Sequence, residues 1–423
     1  MDPLAAALDL DRLREPICEA LRQWGFDTPR RVTVERVHFG KRGATVVQYR
    51  CDDLHGDPHL TLHGVPTFDD PARVAADESQ RLRKSRRAQA HARDPDPVVP
   101  LPGSPLTIRL AGRDAALPGL RLLRDPMAVR DMMDRIGEPV AGDTEVATRL
   151  HAHRLGKRAV LSLDGRHGHD PRRRFLRLAP VSHPGARLRF DQHRRIAAAL
   201  RSGRTAASVN VPTPIAFDDV LGVAVFDALP GAAASDPDHA WSARIDAGLT
   251  ILAGLAALGG VEAPRHDARK ELSLLLDWQT RLARWRPELA SPFEGRVRQL
   301  FVDFSGLAQM ADSPCHRDLH EGQMLLGPDG PGLLDFDTFC LSDPDLDAGN
   351  LLAHLRWREC LEDSPGVDAA DEFARRLEHR CGSARWSRIA FWARVSFLRV
   401  LAIHAFATDT EETVQDLLLG SAL

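Results

Sequence analysis

Between Cys315 and Leu355 the chain reads CHRDLHEGQMLLGPDGPGLLDFDTFCLSDPDLDAGNLLAHL. Two short apolar runs in it are separated by Gly327-Pro328-Asp329-Gly330, the punctuation of two short strands joined by a turn. Asp318, Gln323, Asp335 and Asp337 then fall on loops beside those strands. Carboxylates placed this way can converge on one point instead of spreading along a solvated helix face. Convergent oxygen donors suit a hard divalent cation such as magnesium, which takes one or two carboxylates plus substrate phosphates. A separate aspartate beside such an ion can orient and deprotonate a hydroxyl nucleophile.

After residue 231 the flanking periodicity is helical. WSARIDAGLTILAGLAALG, ELSLLLDWQTRLARW and WSRIAFWARVSFLRVLAIHAFA each place apolar residues at three-to-four-residue spacing. Toward the N-terminus the pattern becomes β-type and repeats itself. RVTVERVHFG, a GKRG turn and ATVVQYR are echoed by TRLHAHRLGKRAVLSLDG, with Gly40-Lys41-Arg42 and Gly156-Lys157-Arg158 at the two turns. In both copies a short apolar strand leads into a helical segment, and then into a β-hairpin ending in Ala-Leu-Pro-Gly, at 116–119 and 228–231. The spacing between copies drifts only from 116 residues (Gly40 to Gly156) to 112 (Ala116 to Ala228), as expected for an internal duplication of a β-β-β-α-β-β unit. Ahead of the first copy, Leu10, Leu13, Ile17, Leu21 and Trp24 predict an amphipathic helix.

Composition narrows the classes. A chain of 423 residues, 43% hydrophobic and 27% charged, is neither one small module nor disordered. Lys+Arg (56) nearly balances Asp+Glu (59), so no global basic field recommends nucleic acid as a partner. The basic run RLRKSRRAQAHAR at 81–93 has no interleaved aromatic residue to stack bases and reads as a solvated helix face followed by a linker. The opening MDPLAAALDLDRLRE carries acids where a signal peptide is basic, and no apolar run approaches the ~18 residues of a membrane span, so a cytoplasmic protein without membrane contact is expected. Cys18, Cys51, Cys315, Cys340, Cys360 and Cys381 are too scattered for a disulfide framework and predict reduced thiols. His316 and His320 have no histidine or cysteine partner at zinc-ligand spacing, and His316 reads as a brace of its loop. Met127, Met132 and Met133 read as packing between the two repeats.

His316-Arg317-Asp318-Leu319-His320-Glu321-Gly322-Gln323 resembles the catalytic loop of the aminoglycoside phosphotransferase and choline kinase superfamily, whose usual form is H-x-D-x-x-x-x-N. Leu334-Asp335-Phe336-Asp337 resembles its metal-binding segment, and Asp343-Pro344 with Asp347 and Asn350-Leu351 resembles the helix start that follows. The glutamine at 323 resembles the form found in bacterial maltokinases and glucosamine kinases. The resemblance implies an α+β, bilobal protein-kinase-like fold, with a duplicated β-rich unit preceding the true small lobe and a mainly helical large lobe behind it. Its implied divisions are an N-terminal helix at 1–30, a small-lobe-like cap repeat at 31–143, the small lobe at 144–231, and the large lobe with both loops at 232–423.

The resemblance also implies a site. ATP would bind between lobes beneath the turn at 155–160, with Gly156, Lys157 and Arg158 near its phosphates and the hinge at 226–229, including Asp227 and Leu229, meeting adenine. Asp318 becomes the catalytic base, Gln323 and Asp335 become magnesium ligands, and Asp337 a second ligand or substrate contact. The implied activity is ATP- and Mg2+-dependent phosphorylation of a hydroxyl on a small molecule: a sugar, an aminoglycoside-like compound or an amino alcohol. The first repeat, with no catalytic loop of its own, reads as a cap or docking domain able to support a homo-oligomer. One departure concerns the lysine that the third small-lobe strand should carry: only Lys41, Lys84, Lys157 and Lys270 exist, and RRRFLRLAP puts Arg177 at the expected place. Arginine keeps the charge and forks onto phosphate with a different geometry. Arg177 and Lys157 are thus the two candidates for the phosphate cation. If neither serves, the alternative is a pseudokinase-like nucleotide-binding or scaffold protein.

Overall fold

The computed structural model describes residues 2–40, 45–53, 58–86, 97–140, 145–167, 170–183, 185–201, 209–307, 310–361 and 368–420. Lys41 and Arg42 of the first turn, and 87–93 of the basic run, lie outside them. The chain forms two compact units, the first of residues 1–187, 215–226 and 406–409 and the second of 188–214, 227–405 and 410–423.

The duplication is explicit in the strands. The first copy runs α1 (Pro3–Leu8), α2 (Leu10–Gln23), β1 (Arg31–Phe39), β2 (Thr45–Asp52), β3 (Pro58–Pro66), α3 (Pro71–Arg86), β4 (Val98–Pro100) and β5 (Leu106–Leu110). After a 3-10 turn at Pro118–Leu123, the second runs α4 (Pro126–Arg135), β6 (Val146–Arg154), β7 (Arg158–His167), β8 (Asp170–Leu178), α5 (Gly185–Arg201), β9 (Pro214–Asp218) and β10 (Val223–Asp227). The two five-stranded sheets have the same order, β1-β2-β3-β5-β4 and β6-β7-β8-β10-β9. Even an irregularity is shared: the register shifts at Glu35 in β1 and at His151 in β6, as a β-bulge does.

The repeating unit is longer than the strand pattern predicts. Asp9 caps α2 by accepting from Arg12 N–H, and Asp125 caps α4 by accepting from Ala128 N–H, at the same spacing as the bulges. Leu13 and Ile17 of α2 correspond to Val129 and Met133 of α4, and all four are buried. Each copy therefore begins with its own helices. Register also locates the drift in spacing: Val34 pairs with Tyr49 and Leu150 with Leu161, so the difference arises in the hairpin turn, where length changes cost little.

Met132 and Met133 pack with Leu117, Leu161, Leu176 and Val223 against the second sheet rather than between the repeats. Met127 is 63% exposed, because the helical period turns it away from that core. The glycines that end the two Ala-Leu-Pro-Gly copies are required by different contacts. A Cβ on Gly119 would lie 2.9 Å from both Leu178 Cγ and Val223 Cγ2, while Gly231 has φ +122° and no room beside the Leu326 carbonyl.

The second unit is mainly helical: α6 (Trp241–Ala256), α7 (Ala268–Trp285), α8 (Pro287–Ser305), α9 (Leu346–Leu361), α10 (Ala369–Cys381), α11 (Ser383–His404) and α12 (Glu411–Leu419). Its short strands are β11 (Ala232–Ala233), β12 (Ser313–Cys315), β13 (Met324–Gly327), β14 (Gly330–Leu333) and β15 (Cys340–Ser342). β13 and β14 form the expected hairpin, closed by the Gly327–Gly330 pair, and β12 pairs with β15. Met324 and Leu333 at the hairpin base enter a core with Ile245, Leu351, Leu355 and Phe373. All six cysteines are free thiols, four of them buried. No helix among the described residues is long and apolar enough to cross a membrane.

Gly119→Ala is expected to cost roughly 1–3 kcal/mol, the usual price of overpacking, measured by urea unfolding. Gly295→Ala, in α8 with nothing within 4 Å of the new Cβ, should be neutral or stabilising by up to ~1 kcal/mol. Equal effects would mean that the 3-10 turn does not press on the sheet.

Candidate active site

The Asp343-Pro344 pair ends an extended segment, and α9 starts at Leu346, which places Asp347 in its first turn and wholly inside the protein. Both of its carboxylate oxygens are used. Oδ2 accepts from His316 N–H and Oδ1 from Arg317 N–H, each at 2.6 Å. Burial raises the Asp347 carboxyl above its ordinary value, opposed by His316 and by these two amides. His316 itself is buried and braces the loop as expected: its Nε2 lies 2.7 Å from the Leu334 carbonyl and its ring meets Phe336 edge-on at 5.3 Å. Thr338 Oγ1 donates to the His316 carbonyl at 2.9 Å.

A second set of bonds holds the far side of Asp318. Asn350 Nδ2 donates to the Leu319 carbonyl at 2.9 Å, and Arg399 of α11 donates to Asn350 Oδ1 at 2.6 Å. Arg399 also reaches Glu271 at 2.8 Å, where Arg317 and His266 converge at 3.1 and 2.6 Å. Glu271 is 2% exposed. Burial would raise its carboxyl, but Arg399, His266 and Arg317 outweigh it and hold the group far below the usual carboxylate range. Residues on either side of Asp318 are thereby fixed, and among the described residues no hydrogen bond or ion pair engages the Asp318 carboxylate, which is half-buried.

Gln323 ends a 3-10 turn at Glu321–Gln323 and its carbonyl accepts from Leu334 N–H at 2.9 Å. That bond closes the base of the hairpin, with Gln323 one residue before β13 and Asp335 two residues after β14. Asp335 has φ +54° and Arg317 φ +69°, the two non-glycine residues with positive φ among those described, at a cost of ~1–3 kcal/mol each. A glutamine amide oxygen and an aspartate carboxylate are both oxygen donors, the kind that a hard divalent cation takes. Asp337 donates its N–H to Asp335 Oδ1 at 3.4 Å, and its own Oδ1 faces Arg189 at 3.4 Å.

His354 of α9 supplies the partner for His320 that spacing alone did not reveal: their rings lie 4.7 Å apart at 23°, with Glu321 alongside. His320 Nδ1, however, accepts from Gly322 N–H at 3.1 Å. A neutral imidazole accepting at Nδ1 carries its proton on Nε2, the opposite tautomer from a ligand bound through Nε2. Burial lowers the His320 pKa, and Glu321 is engaged by Arg358 at 3.2 Å. The group braces the loop, and we assign it no metal.

Gly156, Lys157, Arg158 and Arg177 belong to the first unit. Gly156 has φ +70° in the β6–β7 turn, Lys157 is exposed there, and Arg158 opens β7 opposite Arg154. Leu176 and Leu178 of β8 face the core, so alternation puts Arg177 on the other face of the sheet. The turn is clamped by a residue that no motif marks. Asp114 Oδ2 accepts from Gly156 N–H at 2.6 Å and faces His153 Nε2 at 3.3 Å, while Oδ1 accepts from Ala116 N–H at 2.9 Å. Burial opposes ionisation of Asp114, but those hydrogen bonds prevail and lower its pKa. His63 of β3 lies 3.0 Å from the His153 carbonyl, so the first sheet supports the same strand.

Asp227 and Leu229 belong to the second unit with Asp318, Gln323, Asp335 and Asp337. Asp227 N–H donates to the Thr213 carbonyl at 3.0 Å, and Leu229 lies against Gly332, where an added Cβ would be 3.1 Å from Leu229 Cδ1. Of the residues the sequence did not single out, Asp114, Glu271, His354 and Arg399 are far in the chain from what they hold, and no local pattern announces them.

Residues 159–392 match the family model described as "Phosphotransferase enzyme family". Among solved structures, the chain is similar to a thermostable mutant of aminoglycoside phosphotransferase APH(4)-Ia in its apo form, at 14% identity over 69% of this chain and 98% of the other, with a TM-score of 0.48. It is also similar to amicoumacin kinase hAmiN in complex with AMP-PNP, Ca2+ and Ami (14% identity, 64% and 88% covered, TM-score 0.45). A choline/ethanolamine kinase family protein from Mesorhizobium loti gives 16% identity, 70% and 95% coverage and a TM-score of 0.44. No curated protein sequence matches.

Glu271→Gln is expected to lower stability at pH 7 by roughly 3 kcal/mol, since it strips a buried cluster of its charge. The native carboxyl titrates below the unfolded value of ~4.3, so the wild type's advantage is complete above that value and shrinks as pH falls toward the native one. Urea unfolding from pH 7 to pH 3 checks this; a difference independent of pH would exclude the ion cluster as its cause. Asp114→Ala should raise amide exchange at Gly156 by roughly tenfold or more, the equivalent of one charge-assisted hydrogen bond, read by hydrogen–deuterium exchange.

Proposed function

The chain belongs to the phosphotransferase enzyme family, and from that premise we propose that it transfers the γ-phosphoryl group of ATP, with magnesium, to a hydroxyl of a small molecule of the sugar, aminoglycoside-like or amino-alcohol kind. The observation that carries this reading is Asp318: a carboxylate engaged by no other described side chain, on a loop fixed at 316 and 317 by Asp347 and at 319 by Asn350. Such transfer depends on positioning and charge neutralisation more than on covalent chemistry by the protein. Asp318 accepts a hydrogen bond from the acceptor hydroxyl and takes its proton as the oxygen attacks phosphorus in line with the leaving ADP oxygen. The backbone bonds on both sides let Asp318 do this without reorganising.

Gln323 and Asp335 are the residues proposed to hold magnesium, which when bound neutralises charge on the phosphate oxygens. Asp337, beside Arg189, is proposed as a further ligand or substrate contact. Gly156, Lys157 and Arg158 are proposed to meet the phosphates from the β6–β7 turn, with Arg177 as the strand cation, and Asp227 and Leu229 to meet the base through backbone groups. Asp114 then acts on nucleotide binding through Gly156.

Purified protein screened for ATP-dependent phosphorylation across sugars, aminoglycosides and amino alcohols tests the proposal. Asp318→Asn should lower kcat by roughly 10²–10⁴-fold and leave ATP affinity within a factor of two or so of wild type. Gln323→Ala and Asp335→Asn should raise the magnesium concentration required, and EDTA should abolish turnover. Comparing Arg177→Met with Lys157→Met by KM for ATP identifies the phosphate cation. The proposal fails if no acceptor is phosphorylated and calorimetry finds no magnesium-dependent ATP binding, the behaviour of a scaffold.

A further inference from the structure

α9 has two working faces. Asp347 and Asn350 face the loop that carries Asp318, while Leu352, Ala353, Arg356 and Cys360 lie on the opposite side of the helix and line a cavity of about 580 Å³. The remaining walls come from α8, α11 and α12, so the whole cavity lies within the second unit. Its volume is in the range of small-molecule sites, which are mostly apolar with a few placed polar groups. Leu300, Leu352, Phe397, Leu398 and Leu417 provide apolar wall.

Among the described residues the charged lining is one-sided: Arg296, Arg356 and Arg394, with no carboxylate. Arg394 is matched by Asp303 at 2.7 Å and Arg356 by Asp371 at 2.6 Å. Arg296 differs. Its Nη2 donates to the Leu417, Leu418 and Gly420 carbonyls at 3.1, 3.1 and 2.7 Å, capping the C-terminus of α12. Among the described residues no carboxylate pairs with it, and Nε and Nη1 make no hydrogen bond. Burial weighs against its charge and lowers its pKa. A half-buried guanidinium beside apolar walls, with Nη2 used by carbonyls and the N–H groups of Nε and Nη1 unused, still offers donors to an anion.

We propose that this cavity binds an amphiphilic monocarboxylate, with its apolar body against Leu300, Leu352 and Phe397 and its carboxylate accepting from an unused N–H of the Arg296 guanidinium. The acid partners of Arg356 and Arg394 leave one unmatched charge, which selects one anionic head. The site is separate from Asp318 and independent of the transfer reaction proposed above.

Cys360 in the wall reports occupancy, and Cys381, also half-buried but outside the lining, serves as the control. Maleimide labelling of the full chain, resolved by peptide mass spectrometry, is followed with decanoate below its micellar concentration and with decanol. Decanoate should slow Cys360 at least fivefold and leave Cys381 unchanged, and decanol should have a much smaller effect. Arg296→Met should abolish the decanoate effect. Because that variant also removes a helix cap, Ala390→Leu, which fills the cavity and leaves Arg296 in place, should abolish it as well. No protection of Cys360 in the wild type, equal protection by decanol, equal slowing of Cys381, or protection that survives in both variants would overturn the proposal.

Discussion

A buried carboxylate between two peptide amides organises the second unit. Asp347 is enclosed by the core, and a charge there is tolerable only with hydrogen-bond donors to replace water. The donors are the N–H groups of His316 and Arg317, so the need of the side chain and the shape of the loop are the same constraint. Arg317 must enter the left-handed region to present its amide, and its side chain is then directed to Glu271. Glu271 gathers Arg399, which orients Asn350, which holds Leu319. Asp318 stands inside a ring of bonds that start and end on α9. Losing any one of them leaves a buried polar group unpaired, which couples stability of the helical unit to geometry at the carboxylate.

The first unit solves a different problem. A five-stranded antiparallel sheet needs one face covered, and each copy covers its own with the helices that precede it: α1 and α2 for the first, the 3-10 turn and α4 for the second. Gly119 lets that turn approach Leu178 and Val223 at van der Waals distance. With a common bulge, common N-caps and a common strand order, the two copies share one architecture, but they differ in what they hold. His63 of the first sheet and Asp114 after it both act on the β6–β7 region, so the copy without a catalytic loop contributes rigidity to the turn of the other.

Legibility followed distance along the chain. The β13–β14 hairpin was readable because its turn, its strands and its flanking acids are contiguous. The duplication was readable in its strands, where alternation and turn residues are local, and was missed in its helices, where Leu13 and Ile17 share with Val129 and Met133 only apolarity and spacing. Met127 was misplaced because a cluster of three methionines does not say which member faces the sheet; helical period does, once the cap at Asp125 fixes the start of α4. His320 lacked a partner at ligand spacing because His354 comes from another element.

The sequence by itself determined the elements, the repeat, the family and the carboxylates at 318, 335 and 337, because propensity, turn chemistry and short motifs act over a few residues. Only the tertiary structure decided which groups hold those carboxylates in place. Asp347 and Glu271 meet the loop from two helices, Arg399 holds Glu271 and Asn350 from a third, Asp114 reaches Gly156 from the preceding copy, and Arg296 lines a cavity with no carboxylate partner among the described residues. Each of these depends on burial, which raises the cost of an unpaired polar group, and burial is a property of the packed chain rather than of any segment of it.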